Sequence, residues 1–451
     1  MMSTGLDFPL IWPVHIDNYD PDAPFLVWIE SSKTRTLSYG DLLEKAQHVA
    51  EEYQSNSKRS PVELPLRERT VNNVILAASH LLARVPFSIL KDQNGDQNGD
   101  QIRGERRVSQ SLVTEAGATD DFVMITLETS GTTGTPKRIQ LYASQIAHAV
   151  GMFPAELRTA PGEFWGHALP LHHVGGLSIL ARALSTGGGV AWAPDPTTDG
   201  INSLLHHVDV KGISLVSTQL HRLMEQKESP DRLSTLNAIL LGGGPLPMDV
   251  AKHAMEKSYP VYQSYGMTES FAMISANLLS ETPNDSQCVG KPFGDTQIMV
   301  DNGTIHLRGT QLGPAWKESW FDTGDIGTID AHGRLVIEAR RDDLILSGGN
   351  NISPAPIEDA LMQHPKVEAA IVFGIENPEW GQQVVALVEL NGSQADGFVT
   401  AQVLEQWLHD YGLTSYKIPK QWDILPPGET LPRTSLGKLA RNEAKLRFRG
   451  G

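Results

Sequence analysis

The stretch TLETSGTTGTPKRIQ, residues 126–140, sets the hydroxyls of Thr129, Ser130, Thr132 and Thr133 and the glycines Gly131 and Gly134 ahead of Lys137. A glycine-rich backbone can turn its amides inward as an anion-binding nest, to which hydroxyls add donors and a lysine adds full positive charge. The chemistry such a loop serves is the cradling of a phosphate chain. A P-loop would place glycine directly before the lysine and a hydroxyl after it, and would lead from a strand into a helix. Here Pro136 precedes Lys137 and Arg138 follows it. Both flanks read as strands: residues 123–127 form a buried run, and residues 138–142 alternate with Ile139 and Leu141 apolar. The loop is therefore expected to join two strands, with Ser144 as the N-cap of a later helix. A flexible hairpin tip, which Ser, Thr and Gly also favour, is the competing reading.

Two other stretches invite metal chemistry. His172 and His173 are adjacent, but neighbouring residues seldom project together and no further ligand is spaced to complete a four-ligand site. In KDQNGDQNGDQ, residues 91–101, Asp and Asn recur as in a calcium loop, yet the EF-hand glycine and distal glutamate are missing in either register. A solvated surface loop fits that composition better. Cys288 is the single cysteine, so neither an intrachain disulfide nor a cysteine metal cluster can form. A formal charge of −16 argues against a nucleic-acid partner, since duplex binding rests on basic surface, but it permits a local basic site for a small anion.

The elements that must position these residues follow from pattern. A length of 451 residues suggests about two or three domains, and 40% hydrophobic with 20% charged content is that of a globular protein. The opening MMSTGLDFPLIWPVHIDNYD has no basic region before its apolar residues, and no run of about 18 apolar residues occurs. Neither an export signal nor a membrane span is expected, and a reducing, cytoplasmic setting is the simplest reading. Residues 238–241 read as a strand, 242–247 as a turn, 248–257 as a helix with Val250 and Ala254 on one face, and 261–265 as a returning strand, a βαβ unit. After about Ile337 the texture changes. Apolar runs at 369–373 and 384–390 precede a helix at 399–411, whose stripe of Val403, Leu404, Trp407, Leu408 and Tyr411 reads as core and whose stop is Gly412. A basic tail is expected to end in a helix carrying Lys438, Arg441, Lys445, Arg447 and Arg449. The expected plan is a large α/β unit over residues 1–340 and a small α+β unit over 341–451.

Four further stretches occur in order behind TSGTTGTPK: LPLHHVGG (169–176), YQSYGMTES (262–270), WFDTGDIG (320–327) and LPRTSLGKLAR (431–441). As an ordered set they resemble the adenylate-forming superfamily of acyl- and aryl-CoA synthetases, luciferases and peptide-synthetase adenylation domains, over nearly the whole chain. Within it, SLVSTQLHRLM, AILLGGGPLP and LILSGGNNISP look most like the o-succinylbenzoate-CoA ligases of menaquinone or phylloquinone biosynthesis. The resemblance implies a multi-sheet N-terminal domain with a small mobile C-terminal domain, and a substrate set of a small carboxylic acid, ATP with magnesium, and coenzyme A. It implies that residues 129–137 hold the triphosphate, that Glu269 ligands magnesium, that Thr268 contacts the α-phosphate side, and that Tyr265, after which Gly266 lets the backbone approach closely, lies near the adenine. Asp325 would accept the ribose hydroxyls, against the simpler reading of an Asx-turn cap. Arg340 would add a ribose or phosphate contact. Lys438 would bridge the attacking carboxylate and the α-phosphate. Asp342 matches a hinge, and Ser347, Gly348 and Gly349 a loop that approaches the pantetheine arm.

By the same resemblance His173, Thr218, Gln219 and Gly242, Gly243 and Gly244 line or flank the acyl pocket. No aspartate stands in LPLHHVGG to pair an α-amine, which favours a substrate without one. Arg222 could pair a second carboxylate, against the reading of an exposed helix arginine. Ala339, Pro356 and Arg433 depart from the usual glycine, glutamate and lysine at their positions. The alternatives left open are a ligase for another aryl or fatty acid, a carrier-loading adenylation enzyme, and a non-catalytic nucleotide or carboxylate sensor.

Overall fold

The computed structural model describes residues 20–31, 33–56, 60–89, 121–129, 137–226, 232–391, 399–426, 428–433 and 439–449. Residues 91–101 and 130–136 and Lys438 lie outside them, so the surface loop at 91–101, Ser130, Gly131, Thr132, Thr133 and Gly134, and the lysine remain sequence readings.

The strand–helix–strand unit read at 238–265 is present: Ala238–Leu241 and Val261–Met267 pair in parallel, with Ile239 opposite Val261, and helix Met248–Glu256 crosses between them. Val250 and Ala254 are buried beneath it, as their spacing predicts. This unit lies in a sheet ordered Ala272–Leu278, Val261–Met267, Ala238–Leu241, Gly212–Leu215, Phe164–His167, Gly189–Trp192, Pro24–Glu30, Lys33–Ser38. Its central strands are parallel and buried on both faces, which is why they read as unbroken apolar runs. One consequence matters for function. The carboxyl ends of 164–167, 212–215, 238–241 and 261–267 all point to one edge, where open α/β sheets place their ligands.

A second sheet runs Val62–Glu63, Phe87–Ile89, Val123–Thr129, Lys137–Tyr142, and its last two strands are antiparallel with Thr129 opposite Lys137. The glycine- and hydroxyl-rich segment thus joins two strands, as expected. A third sheet runs Cys288–Gly290, Leu335–Arg340, Phe321–Ile329, Thr304–Arg308, Gln297–Asp301. A fourth collects strands after residue 344 alone: Asn350–Ile352, Ile345–Ser347, Gly381–Leu390 and Val367–Asn377, with Gln421–Ile424 along Gly381–Leu390. It carries its own core, in which Ile345, Ile357, Val372, Ala386 and Leu404 are fully buried.

Local expectations are corrected at two places. The helix after the hairpin is Ala143–Gly151 with Tyr142 as N-cap; Ser144 is not the cap, because its hydroxyl and N–H are both taken by the Asp121 carboxylate. In helix Ala401–Asp410, capped by Thr400, Leu404 and Leu408 are core, but Val403 and Tyr411 are exposed; the helix packs on helix Ala355–Met362, where Trp407 Nε1 donates to Ala360 O at 2.7 Å. Gly412 follows the helix at φ +96°, the left-handed stop its type predicts. Among the described residues no helix is long and apolar enough to cross a membrane.

Asp359, on helix Ala355–Met362, has its carboxyl pushed up to about 7 by burial, with the like charges of Glu358 and Asp249 adding. The folded chain therefore holds this proton more tightly than the unfolded one. The associated stability is fully present below the unfolded value of about 4 and is lost as pH rises through about 7. Asp359→Asn, neutral throughout, is expected to raise the thermal unfolding midpoint more at pH 8 than at pH 5. An equal change at both would contradict the assignment.

Candidate active site

At the edge formed by the parallel strand ends, residues far apart in sequence meet. Lys137 begins the strand Lys137–Tyr142, and its Nζ stands 3.3 Å from Glu269 Oε1, a carboxylate 25% exposed. Glu269 lies in the tight turn Thr268–Ser270, which follows strand Val261–Met267 and also carries Thr268. The turn leads into Ala272–Leu278, which folds back antiparallel with a register shift between Tyr265 and Gly266. There the backbones come so close that a Cβ on Gly266 would sit 1.8 Å from the Ala272 carbonyl oxygen. Glycine is required at this position by space. Gly266→Ala is accordingly expected to move the Glu269 turn, to destabilise the protein by about 1–3 kcal/mol as overpacking does, and to weaken nucleotide binding in calorimetry.

A second constellation surrounds Asp325. This carboxylate sits in strand Phe321–Ile329, 5% exposed, opposite Arg340 at the end of Leu335–Arg340. Tyr265 donates its hydroxyl to Asp325 Oδ2 at 2.6 Å, and Arg340 Nη1 donates to Oδ1 at 2.8 Å. Burial, then the Asp325 charge, push the Tyr265 hydroxyl pKa up, so it remains a donor. The Asx-turn reading belongs to a neighbour: Asp322 Oδ1 accepts the Gly324 N–H at 2.9 Å, leaving Asp325 free to face inward. Each of its oxygens has one protein donor and a further lone pair, which suits a pair of hydroxyl donors.

The acyl side is assembled from the neighbouring strand ends. His173 is the N-cap of helix Val174–Thr186, after strand Phe164–His167. Its ring and that of His172 lie 4.3 Å apart. Adjacent residues do project together here, contrary to expectation, because His173 is extended where the chain turns into the helix. Burial, then the charge of Arg67, lower the His172 pKa and keep that ring neutral. Among the described residues no group of His, Cys, Asp and Glu is arranged to hold a metal ion as a protein cage. Thr218 and Gln219 lie in the first turn of helix Ser217–Glu225, and Gly242, Gly243 and Gly244 follow Ala238–Leu241 on the same edge. The Gln219 amide serves backbone: its Oε1 accepts from Val216 N–H at 3.0 Å, and its Nε2 donates to Pro196 O at 3.2 Å. Arg222 is exposed in the last turn of the same helix.

Residues 63–311, more than half of the chain, match the AMP-binding enzyme family, and residues 356–438 match the AMP-binding enzyme C-terminal domain. The chain belongs to the AMP-binding enzymes. It is 33% identical over 385 residues to the 2-succinylbenzoate–CoA ligase of Bacillus cereus (strain ATCC 10987), covering 79% of this chain and 78% of that one. It superposes on the o-succinylbenzoate CoA synthetase of Bacillus subtilis in complex with the acyl-adenylate intermediate OSB-AMP with a TM-score of 0.74 and 26% identity, over 94% of this chain and 96% of that one. The same enzyme in complex with ATP and magnesium gives 0.75 and 25%, over 94% and 97%.

In this AMP-binding enzyme Asp342 occupies the turn Arg341–Asp343, between the last residue of the third sheet's Leu335–Arg340 and the first strand of the fourth sheet, Ile345–Ser347. Arg341 is tied back to Asp322 at 2.8 Å. Gly348 and Gly349 form the tip after Ile345–Ser347, where the Gly348 N–H donates to Trp380 O at 2.9 Å. Asp342 lies two residues beyond Arg340, and its charge reaches the Arg340 guanidinium. Sequence reasoning missed three side chains that hold the site. Arg69 donates to the carbonyls of Leu169, His167 and Ala193 and stacks 4.0 Å over Trp192, pinning the LPLHHVGG segment. Gln145 and Gln311 hold the Glu269 turn. All three act on backbone through long-range contacts, which leave no periodic or motif signal.

Proposed function

We propose that the chain joins 2-succinylbenzoate to coenzyme A in two half-reactions driven by ATP. In the first, a carboxylate oxygen of the acid attacks the α-phosphorus, the bond to the bridging oxygen breaks, and pyrophosphate leaves. In the second, the thiol sulfur of coenzyme A attacks the acyl carbonyl, AMP leaves with the bonding electron pair, and the thiol proton passes to solvent. The observation that carries this reading is the convergence of Lys137, Glu269, Tyr265, Asp325 and Arg340 on one edge, in a chain 33% identical to a 2-succinylbenzoate–CoA ligase over 79% of its length.

Each group has work suited to its chemistry. Lys137 and the hairpin it closes face the departing phosphates. Asp325 accepts the ribose hydroxyls, with Tyr265 and Arg340 fixing its oxygens. Glu269 fits magnesium, because a single carboxylate is the usual protein share of a magnesium that is otherwise ligated by phosphate oxygens and water. Magnesium supplies neutralisation of the phosphate charge that otherwise repels an incoming carboxylate. Lys438, carried by the small unit, adds the ammonium that accompanies charge development at the α-phosphorus. A boundary near residue 340, a cytoplasmic setting and the roles of Thr129, Thr268, His173, Thr218, Gln219, Arg222, Gly348 and Gly349 belong to this reading.

Exchange of radiolabelled pyrophosphate into ATP, with 2-succinylbenzoate, benzoates and fatty acids offered in turn and then with coenzyme A, tests it. Exchange and thioester formation are expected with 2-succinylbenzoate above the others; no exchange with any acid would overturn it. Asp342→Pro fixes one of the backbone angles of the turn between the third and fourth sheets. It is expected to spare acyl-adenylate formation and to slow thioester formation by about a hundredfold, the scale of a misplaced reacting group. Equal loss of both half-reactions in stopped-flow assays would remove the hinge role.

A further inference from the structure

The turn that carries Glu269 is strained. Beyond Thr268–Ser270 the chain passes through Phe271 at φ +49° and Ala272 at φ +77°, both bearing side chains in the left-handed region. Such conformations persist where the surroundings over-determine them. Here three buried side chains take the turn's carbonyls one after another. Gln145 Nε2 donates to the Glu269 carbonyl and, at 2.9 Å, to that of Gln311. Gln311 Nε2 donates to Ser270 O at 3.1 Å and Met273 O at 2.6 Å, and Ser270 Oγ donates to Ala272 O at 2.7 Å. Gln145, Gln311 and Ser270 are at most 1% exposed.

Gln145 also closes a circuit. Its Oε1 accepts the Tyr142 N–H at 3.2 Å, so the amide's orientation is set by one donor on its oxygen side and two carbonyls on its nitrogen side. Tyr142 ends the strand that Lys137 begins, and Lys137 faces the Glu269 carboxylate. Glu269 is thus tied to the phosphate-loop strand twice, by its side chain at one end and by its carbonyl, through Gln145, at the other. Gln311 fixes the same turn from the side of the third sheet, in the turn Thr310–Leu312 that follows strand Thr304–Arg308.

We propose that Gln145 and Gln311 are positioning residues that set where the Glu269 carboxylate stands relative to Lys137, and thereby the affinity of the site for magnesium-bound nucleotide. The inference rests on the reading of Glu269 as the magnesium ligand. Gln145→Met and Gln311→Met keep the length of the side chain and remove its donors. Calorimetry of ATP binding in magnesium and in EDTA isolates the metal-dependent part. Both variants are expected to weaken binding in magnesium by about 10- to 100-fold, the usual cost of losing a partner that orients a metal ligand, and to change binding in EDTA little.

Glu269→Gln is the reference, since it removes the carboxylate charge at constant shape. Adding Gln145→Met to Glu269→Gln is expected to produce no further loss in magnesium, because Gln145 acts through Glu269. Equal weakening in magnesium and EDTA, or additive losses in the double variant, would overturn the proposal. Gln145→Asn retains both amide groups on a shorter stem and covers the case in which the Met variants fold poorly: metal-dependent affinity below that of the wild type supports the proposal, and affinity equal to the wild type refutes it. If Glu269→Gln itself binds magnesium and ATP like the wild type, the assignment of Glu269 fails. If only the glutamine variants do so, the positioning role alone fails.

Discussion

Lys438→Ala is expected to lower acid-dependent pyrophosphate exchange by about 10² to 10³-fold, the cost of removing one group that stabilises developing charge. Thioester formation from acyl-adenylate supplied directly should stay close to wild type. The reason is a division of labour between charges. Lys137, 3.3 Å from Glu269 at the end of a strand held in register by Thr129, serves the departing phosphates in this reading. The α-phosphorus, where a carboxylate must approach another anion, needs a separate cation. The residues around Lys438 are suited to present one. Arg433 and Leu439 form an antiparallel bridge, the Ala440 N–H donates to Pro432 O at 2.7 Å, and the buried Glu389 carboxylate accepts both the Leu431 N–H at 2.9 Å and Arg433 Nη2 at 3.2 Å. Arg433, a departure from the usual lysine, thus has a matched acidic partner. Lys438→Arg is expected to restore little, because a planar guanidinium does not replace a compact ammonium at one oxygen pair. Equal loss of both half-reactions would show that Lys438 holds the fold and not the first transition state.

The strand–helix–strand unit and the hairpin were legible in sequence because their carriers are local. Buried strands such as Ala238–Leu241 announce themselves as apolar runs bounded by Gly242 and the residues after it, and the hairpin at Thr129 and Lys137 follows from alternation on both flanks. What sequence could not carry was the choice among near-equivalent polar residues. Ser144 has the composition of an N-cap, but whether it caps depends on Asp121, twenty-three positions earlier, which takes its hydroxyl. Gln145 and Gln311 look like any surface amides and are instead the donors for a strained turn, which only the paired sheets bring to them. Amphipathic spacing gave the direction of the 401–410 stripe but not its cover: Leu404 is fully buried and Val403 is exposed. The resemblance sets Gln219 beside the acyl pocket, and its amide also holds the backbone of Val216 and Pro196.

Asp325 shows the same dependence on tertiary context and supports the second large effect. Asp325→Asn keeps the shape, yet it turns an acceptor-only group into one that presents an N–H₂ to either Arg340 or Tyr265. Since Arg340 can only donate, the amide is expected to turn its oxygen to Arg340 and its nitrogen to the Tyr265 hydroxyl. Arg340 then loses its charge partner. Removing one member of a fully buried pair costs about 3–5 kcal/mol, but the Arg340 side chain is 48% exposed, so solvent screening reduces the expected loss of stability to about 1–2 kcal/mol. The nucleotide loses more. Two hydrogen bonds to a charged acceptor, at about 1.5–3 kcal/mol each, are weakened together, and ATP affinity should fall by about 10² or more. The decisive measurement compares ATP with its 2′-deoxy and 3′-deoxy analogues. Wild type is expected to prefer the ribose form clearly, and Asp325→Asn to lose most of that preference. Tyr265→Phe, which leaves Asp325 charged and paired to Arg340, should keep the preference while weakening all three nucleotides alike. Retained discrimination in Asp325→Asn would mean that the ribose is read elsewhere and that the Tyr265–Asp325–Arg340 group serves the junction of the sheets alone.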